Sequence, residues 1–191
     1  MRIAVSGTHC SGKTTLVEDF LQRHPEYVHE PEPYEWLAEA QGAAFSAEPC
    51  AADVWQQLEL SVERLSTHAP GSKVIAERSP LDFLAYLEAL LHLGREDTSR
   101  MLDEARVLVR RGLTSLDLVV VLPLNDEDGI ETPESEDPEL RQSMNVSLLE
   151  VIENEWNCLS SGHVRLAEIT GTRQQRVVAL ESALAAVPLE S

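Results

Sequence analysis

Gly7-Thr8-His9-Cys10-Ser11-Gly12-Lys13-Thr14 matches G-x-x-x-x-G-K-[ST], the Walker A pattern, with an apolar run before it and helical periodicity after it. Residues of these types at this spacing build a phosphate cradle. The glycines let the backbone curl, so that N–H groups from Gly7 to Thr15 turn inward toward anionic oxygens, and the helix start adds its positive end. Lys13 supplies a cation for the outer phosphates, and the Thr14 hydroxyl can ligate Mg²⁺. Lys13 and Lys73 are the two lysines among fifteen basic residues, so a lysine here is hard to dismiss as a solubilising charge. His9 and Cys10 read as loop fillers rather than redox or metal groups.

A cradle serves either hydrolysis or transfer. The run VVVLPL (119–124) ends without a carboxylate that could serve a hydrolytic machine, and no N-K-x-D guanine signature occurs. The acid comes instead at the end of another strand, as Glu77-Arg78-Ser79. Before it, HEPEPYEW (29–36) offers Glu32 or Glu30, either of which could remove a proton from an acceptor hydroxyl. Gln57 and Arg64 stand seven apart, two turns along one helix face.

The elements that must position these residues follow from periodicity. RIAVS (2–6) reads as a buried strand, and the helix from Gly12 ends near His24-Pro25. A short second strand in YVHEPEPYEW should break at Pro31 and Pro33. A helix spans 53–66, KVIAE (73–77) is a strand, and SPLDFLAYLEALLHLG (79–94) is a helix with proline in its first turn. That last helix is apolar enough to be either core or the face of a homodimer. A helix at 103–111, strands at 117–124 and 164–169, and a helix at 174–186 complete the series. Strands alternating with helices predict a parallel α/β sheet covered on both faces, in one domain over residues 1–191. Between Asp126 and Glu139 lie eight acidic residues and no basic one, a stretch read as a mobile or disordered loop.

Bulk properties limit the partners. Composition is that of a globular protein, with 43% hydrophobic and 25% charged residues. A net charge of −18 opposes binding to nucleic acid or to an anionic membrane, both of which need basic patches. No apolar run approaches the roughly 18 residues of a membrane span, and MRIAVSG is no secretory leader, so a cytoplasmic location is expected. Three cysteines without C-x-x-C spacing, and histidines without paired spacing, predict neither a disulfide framework nor a transition-metal site.

VIAERSPLDFLAYL resembles the E/D-R-S segment of deoxynucleoside kinases. It resembles still more closely that of P-loop proteins labelled AAA-domain ATPases, which are similar to the ribosylnicotinamide kinase domain. The resemblance implies a P-loop three-layer α/β sandwich with a five-stranded parallel sheet, using ATP and Mg²⁺. It implies that Thr14 and Glu77 hold the metal, and that Arg78 holds the reacting phosphate or hydroxyl. In Pro31-Glu32-Pro33 it implies a base at Glu32, with Glu30 the alternative, and it places Trp36 near the acceptor. Gln57 and Arg64 would read that acceptor. Residues 125–145 would form a lid whose single basic residue, Arg141, closes over the phosphates; several arginines are usual there. Arg173, after the fifth strand, would lie by the adenine. The expected reaction is transfer of the γ-phosphoryl group to a hydroxyl of a nucleoside-like, neutral or cationic small molecule. An antibiotic or other secondary metabolite fits the same chemistry, and an ATP-binding regulator or slow ATPase is the reading from another class.

Overall fold

The computed structural model describes residues 1–41, 50–125, 128–130 and 137–185. In chain order the elements are β1 (Arg2–Ser6), α1 (Lys13–Arg23), β2 (Val28–Glu30), α2 (Pro33–Gln41), α3 (Ala51–Thr67) and β3 (Val74–Glu77). There follow α4 (Pro80–His92), α5 (Ser99–Leu113), β4 (Leu118–Val121), α6 (Pro138–Ser160), β5 (Arg165–Glu168) and α7 (Arg173–Ala185).

All strand pairings are parallel, in the order β2-β3-β1-β4-β5. Because side chains alternate along a strand, each interior strand feeds two cores. Ile3, Val5, Ile75 and Val120 pack toward α1 and α7 with Leu16, Phe20 and Leu180. Ala4, Ala76, Val119 and Val121 pack toward α3, α4, α5 and α6. The order turns around β1, so the loops after β1 and β3 leave to opposite faces and open a crevice at the carboxyl ends of the strands.

Helix α4 is buried from Pro80 to Leu90, including Asp82 and Glu88. A helix buried on every side is core, so the dimer-face reading of this segment does not hold. Its start is a capping box: the Leu81 N–H donates to Ser79 Oγ at 3.2 Å, and Asp82 Oδ2 accepts from the Ser79 N–H at 2.8 Å.

Two expectations change, and a third falls partly outside the described residues. Pro33 does not merely break β2; it opens α2, because a helix tolerates proline in its first turn. Helix α5 begins at Ser99 rather than 103, after Thr98. The expected lid at 125–145 is described only in part: residues 126–127 and 131–136 lie outside the described residues, and from Pro138 onward the segment is α6. The Asp137 side chain caps that helix, accepting from the Glu139 and Leu140 N–H groups. Ala186, the expected end of the last helix, is likewise outside the described residues. No helix of the described residues is long and apolar enough to cross a membrane.

Candidate active site

The cradle needs its two glycines. At Gly7, φ is +154°, and a Cβ there would lie 2.5 Å from Ser11 Oγ and 2.8 Å from the Leu122 carbonyl oxygen. At Gly12, φ is +88°, and a Cβ would meet Arg176 Nη1 at 2.8 Å. Two arginines brace the loop from outside. Arg141 donates from Nε to the His9 carbonyl at 2.9 Å and from Nη2 to the Cys10 carbonyl at 3.2 Å. Arg176 donates from Nη1 to the Ser11 carbonyl at 2.6 Å. Turning three successive carbonyls outward is what a curl of inward-facing amides requires. Thr8 is buried and donates to the Arg141 carbonyl at 3.0 Å, while Thr15 sits half-buried on the first turn of α1.

Lys13 opens α1 and is 5% exposed; its Nζ donates to the Thr8 carbonyl at 2.9 Å. Burial, then the neighbouring Arg78, lowers its pKa to about 8. Lys13 Nζ lies 3.8 Å from Glu32 Oε1, and Arg78 Nε lies 3.0 Å from Glu32 Oε2. Burial alone would raise the Glu32 pKa, but Arg78 and Lys13 together hold it at about 2. A phosphate cation, an E-R-S arginine and a carboxylate from the β2–α2 turn therefore share one site. Arg78 reaches it from a left-handed backbone, φ +70°, a conformation costing a residue with a side chain about 1–3 kcal/mol. Its N–H is fixed to the Val5 carbonyl at 3.0 Å.

At the end of β3, Glu77 is almost wholly buried. Thr14 donates to its Oε2 at 2.7 Å, and His29 Nε2 lies 3.0 Å from its Oε1. Neighbouring ligands of an octahedral Mg²⁺ lie about 3 Å apart, given metal–oxygen distances of about 2.1 Å. Two hard oxygens 2.7 Å apart beside the cradle fit that geometry. Among the described residues no three or more His, Cys, Asp or Glu side chains form a metal cage.

Glu30, the alternative base, is engaged elsewhere. Arg64 pairs with it through Nε and through Nη2 at 3.1 Å, His68 Nε2 lies 3.0 Å away, and Trp36 Nε1 donates at 3.1 Å. Burial acts to raise the Glu30 pKa, yet the bonds from Arg64 and His68 leave it lowered. The Arg64 guanidinium also stacks over the Trp36 ring at 3.9 Å. Arg64 is thus committed to Glu30 and Trp36 rather than extended toward an acceptor. Gln57 turns back on its own helix and donates to the Asp53 carbonyl at 3.3 Å. Of the expected acceptor-reading pair, Arg64 lines a small cavity with Glu77 and Arg78, whereas Gln57 is bonded to its own helix.

Arg173 is not brought to the cradle. Its side chain is 64% exposed and ion-paired with Asp19 on α1. Arg176, one helical turn on, takes the inner place: besides Ser11 it bonds the Gly171 carbonyl at 2.9 Å and pairs with buried Asp128. Asp128 in turn accepts from the Gly171 N–H at 2.8 Å. Arg176, Asp128, Arg141, Cys10 and Ser11 line a cavity of about 220 Å³ beside the cradle. Sequence reading missed Asp82 as well, whose Oδ1 accepts the Gly7 N–H at 2.8 Å and so joins the cradle to the E-R-S turn. The S-x-x-D spacing of its capping box was a local signal for Asp82. Arg176 and Asp128 meet across 48 positions, and no local pattern marks the pair.

A phosphate cradle at the end of β1, a carboxylate at the end of the neighbouring β3, and a parallel sheet ordered 2-3-1-4-5 define a P-loop α/β protein of nucleoside kinase-like fold. Residues 2–176 match the family described as an AAA domain, and the chain belongs to that family. Deoxyadenosine kinase from M. mycoides with bound dATP superposes with a TM-score of 0.71 at 15% identity, over 97% of this chain and 100% of that one. NadR protein in complex with NAD and AMP-PNP has a TM-score of 0.64 at 17% identity, over 99% of this chain and 50% of that one. NadR in complex with NR has a TM-score of 0.64 at 18% identity, and the match spans 52% of it. At such identities the likeness establishes the fold. Among curated proteins, none matches the sequence.

Proposed function

We propose that this protein is an ATP-dependent kinase, transferring the γ-phosphoryl group of MgATP to a hydroxyl of a nucleoside-like or other neutral or cationic small molecule. The single observation that carries the reading is Glu32 standing 3.8 Å from Lys13 Nζ and 3.0 Å from Arg78 Nε. A carboxylate set among phosphate-binding cations is placed to take the proton of an attacking hydroxyl. A cradle that only bound nucleotide would not require it. The ligands of the fold relatives, dATP and AMP-PNP in two structures and NR in a third, lend support to a nucleotide donor and a nucleoside-like acceptor.

In this mechanism the acceptor oxygen bonds the γ-phosphorus, the bond from that phosphorus to the bridging oxygen breaks, and Glu32 takes the hydroxyl proton. Lys13 and Arg78 offset charge on the transferring group, while Arg141 holds the cradle in shape from His9 and Cys10. Mg²⁺, held by Thr14, Glu77 and the donor's phosphates, would supply charge neutralisation at the transferring and leaving oxygens. With both cations pressed against it Glu32 is a weak base, at about 2. Donor phosphates competing for Lys13 and Arg78 raise that value toward the ordinary carboxylate range, so basicity arrives with the donor.

The net charge of −18 and the acids between 126 and 139 disfavour an anionic acceptor, since repulsion inside a closed site escapes the screening that acts beyond about 8 Å in solution. The reading takes residues 1–191 as one catalytic domain with a lid at about 125–145, drawing on cytoplasmic MgATP. Incubation with MgATP and a pooled panel of nucleosides, nicotinamide riboside, nucleoside monophosphates and aminoglycosides tests it. Mass spectrometry should find one panel member heavier by a single phosphate. ADP released with every panel member unchanged would sink the kinase reading in favour of an ATPase or regulator. A monophosphate bound more tightly than its nucleoside would sink the acceptor class.

A further inference from the structure

We propose that His29 is a positioning residue for the metal-ligating carboxylate, holding Glu77 so that its other oxygen stays turned toward Thr14 and the cation. The inference rests on the kinase reading, in that it takes Thr14 and Glu77 as the magnesium ligands, and it adds a residue that the Walker A and E-R-S motifs do not contain.

Sheet register carries the argument. Parallel pairing sets His29 on β2 opposite Ile75 on β3. Side chains two apart on a strand share a face, so His29, Ile75 and Glu77 all lie on the face covered by α1. Helix α1 begins at Lys13-Thr14 on that face, which brings Thr14 to one oxygen of Glu77 and His29 to the other, at 2.7 and 3.0 Å. A carboxylate oxygen can only accept, so His29 Nε2 carries the hydrogen and donates it. Glu77 is 2% exposed at its side chain, whereas His29 is 37% exposed and lies on an edge strand. The buried group is therefore oriented by a half-exposed one reaching inward from the rim.

Orientation matters because the carboxylate can rotate. With both oxygens held, one bond must lengthen when a cation arrives, and the hydroxyl of Thr14 is the partner that becomes a fellow ligand. His29 stays on the far oxygen and keeps the near lone pairs aimed at the metal. Hydrogen bonds of this kind from the outer shell typically contribute about 10–100-fold in metal affinity. The next residue, Glu30, registers with Ala76 and points to the opposite face, where Arg64 and His68 take it. A shift of one residue in β2 would exchange these roles.

The test is calorimetric titration of ATP into the full chain, in EDTA and in saturating MgCl₂, for the natural protein, His29→Gln and His29→Leu. Gln keeps an N–H donor; Leu keeps the bulk and donates nothing. The expected result is a gain in ATP affinity on adding Mg²⁺ that His29→Leu reduces by roughly 10-fold and His29→Gln largely retains, with the EDTA affinities of all three within about twofold. Equal magnesium gains in all three proteins would overturn the role of His29 and leave the kinase reading standing. Equal losses in EDTA and in magnesium would assign His29 a structural role and overturn it too. If the natural protein itself gains nothing from magnesium, the metal site of the kinase reading falls together with the inference.

Discussion

Glu30 and Glu32 are the same residue type, two positions apart across one proline, yet they belong to different machines. Glu30 ends β2 and is enclosed by Arg64, His68 and Trp36, all from the helices on the α3 side. Glu32 lies past the strand, at the turn into α2, and faces Lys13 and Arg78 from the phosphate side. Paired charge outweighs burial and lowers the pKa of both acids, but the cations on Glu30 lie on the α3 side, whereas those on Glu32 are the ones the proposed mechanism brings to phosphate. On the proposed mechanism, two carboxylate clusters of similar chemistry separate into a clamp and a base. What separates them is which partners a competing anion can draw away.

The largest effect is expected at Lys13, the cation beside Glu32. Lys13→Ala is expected to remove detectable transfer in the mass-spectrometric assay, with Arg78 still in place. Glu32→Gln should spare ATP binding by calorimetry and lower turnover by roughly 10²–10⁴-fold. Glu30→Gln should do the reverse: turnover of the folded fraction within about threefold, and unfolding free energy lower by about 1–2 kcal/mol in urea, because half-exposed Arg64 would lose its charged hydrogen-bond partner. If Glu30→Gln abolishes turnover while Glu32→Gln does not, the roles of the two acids are exchanged.

The same site shapes acid stability through His9, which lies against Tyr86 with ring centroids 5.6 Å apart. Burial, then Arg78 and Lys13, hold its pKa at about 4, against 6.5 for an ordinary histidine. Below 6.5 the unfolded chain takes up a proton that the folded chain refuses until about 4. Stability is therefore full above pH 6.5 and falls across that window, by about 3 kcal/mol. His9→Asn should flatten this part of the profile in urea titrations at stepped pH, and an unchanged slope would remove His9 as its source. The smallest expected effect is at Arg173. Its exposed pair with Asp19 should cost less than about 1 kcal/mol when lost in Arg173→Ala, with ATP affinity unchanged. Arg176→Ala, by contrast, should weaken ATP binding, since the cradle loses its brace at Ser11.

Much of the site was readable along the chain because its parts are local. Strand, glycine loop and helix start occupy thirteen consecutive residues from Arg2 to Thr14, and backbone geometry within such a stretch depends on neighbours a few positions away. Local residue order sufficed for the cradle, the E-R-S strand end, the apolar α4 and the alternation that makes a parallel sheet. Tertiary structure alone decided which of several equivalent charged residues meet. Arg176 rather than Arg173 reaches Ser11 across 165 positions, Asp82 reaches Gly7 across 75, and His29 reaches Glu77 across 48. Composition and periodicity carry no record of such meetings. They arise where strand register and helix packing superpose distant segments, and a carboxylate's partner is set by the face it lands on rather than by the residues beside it.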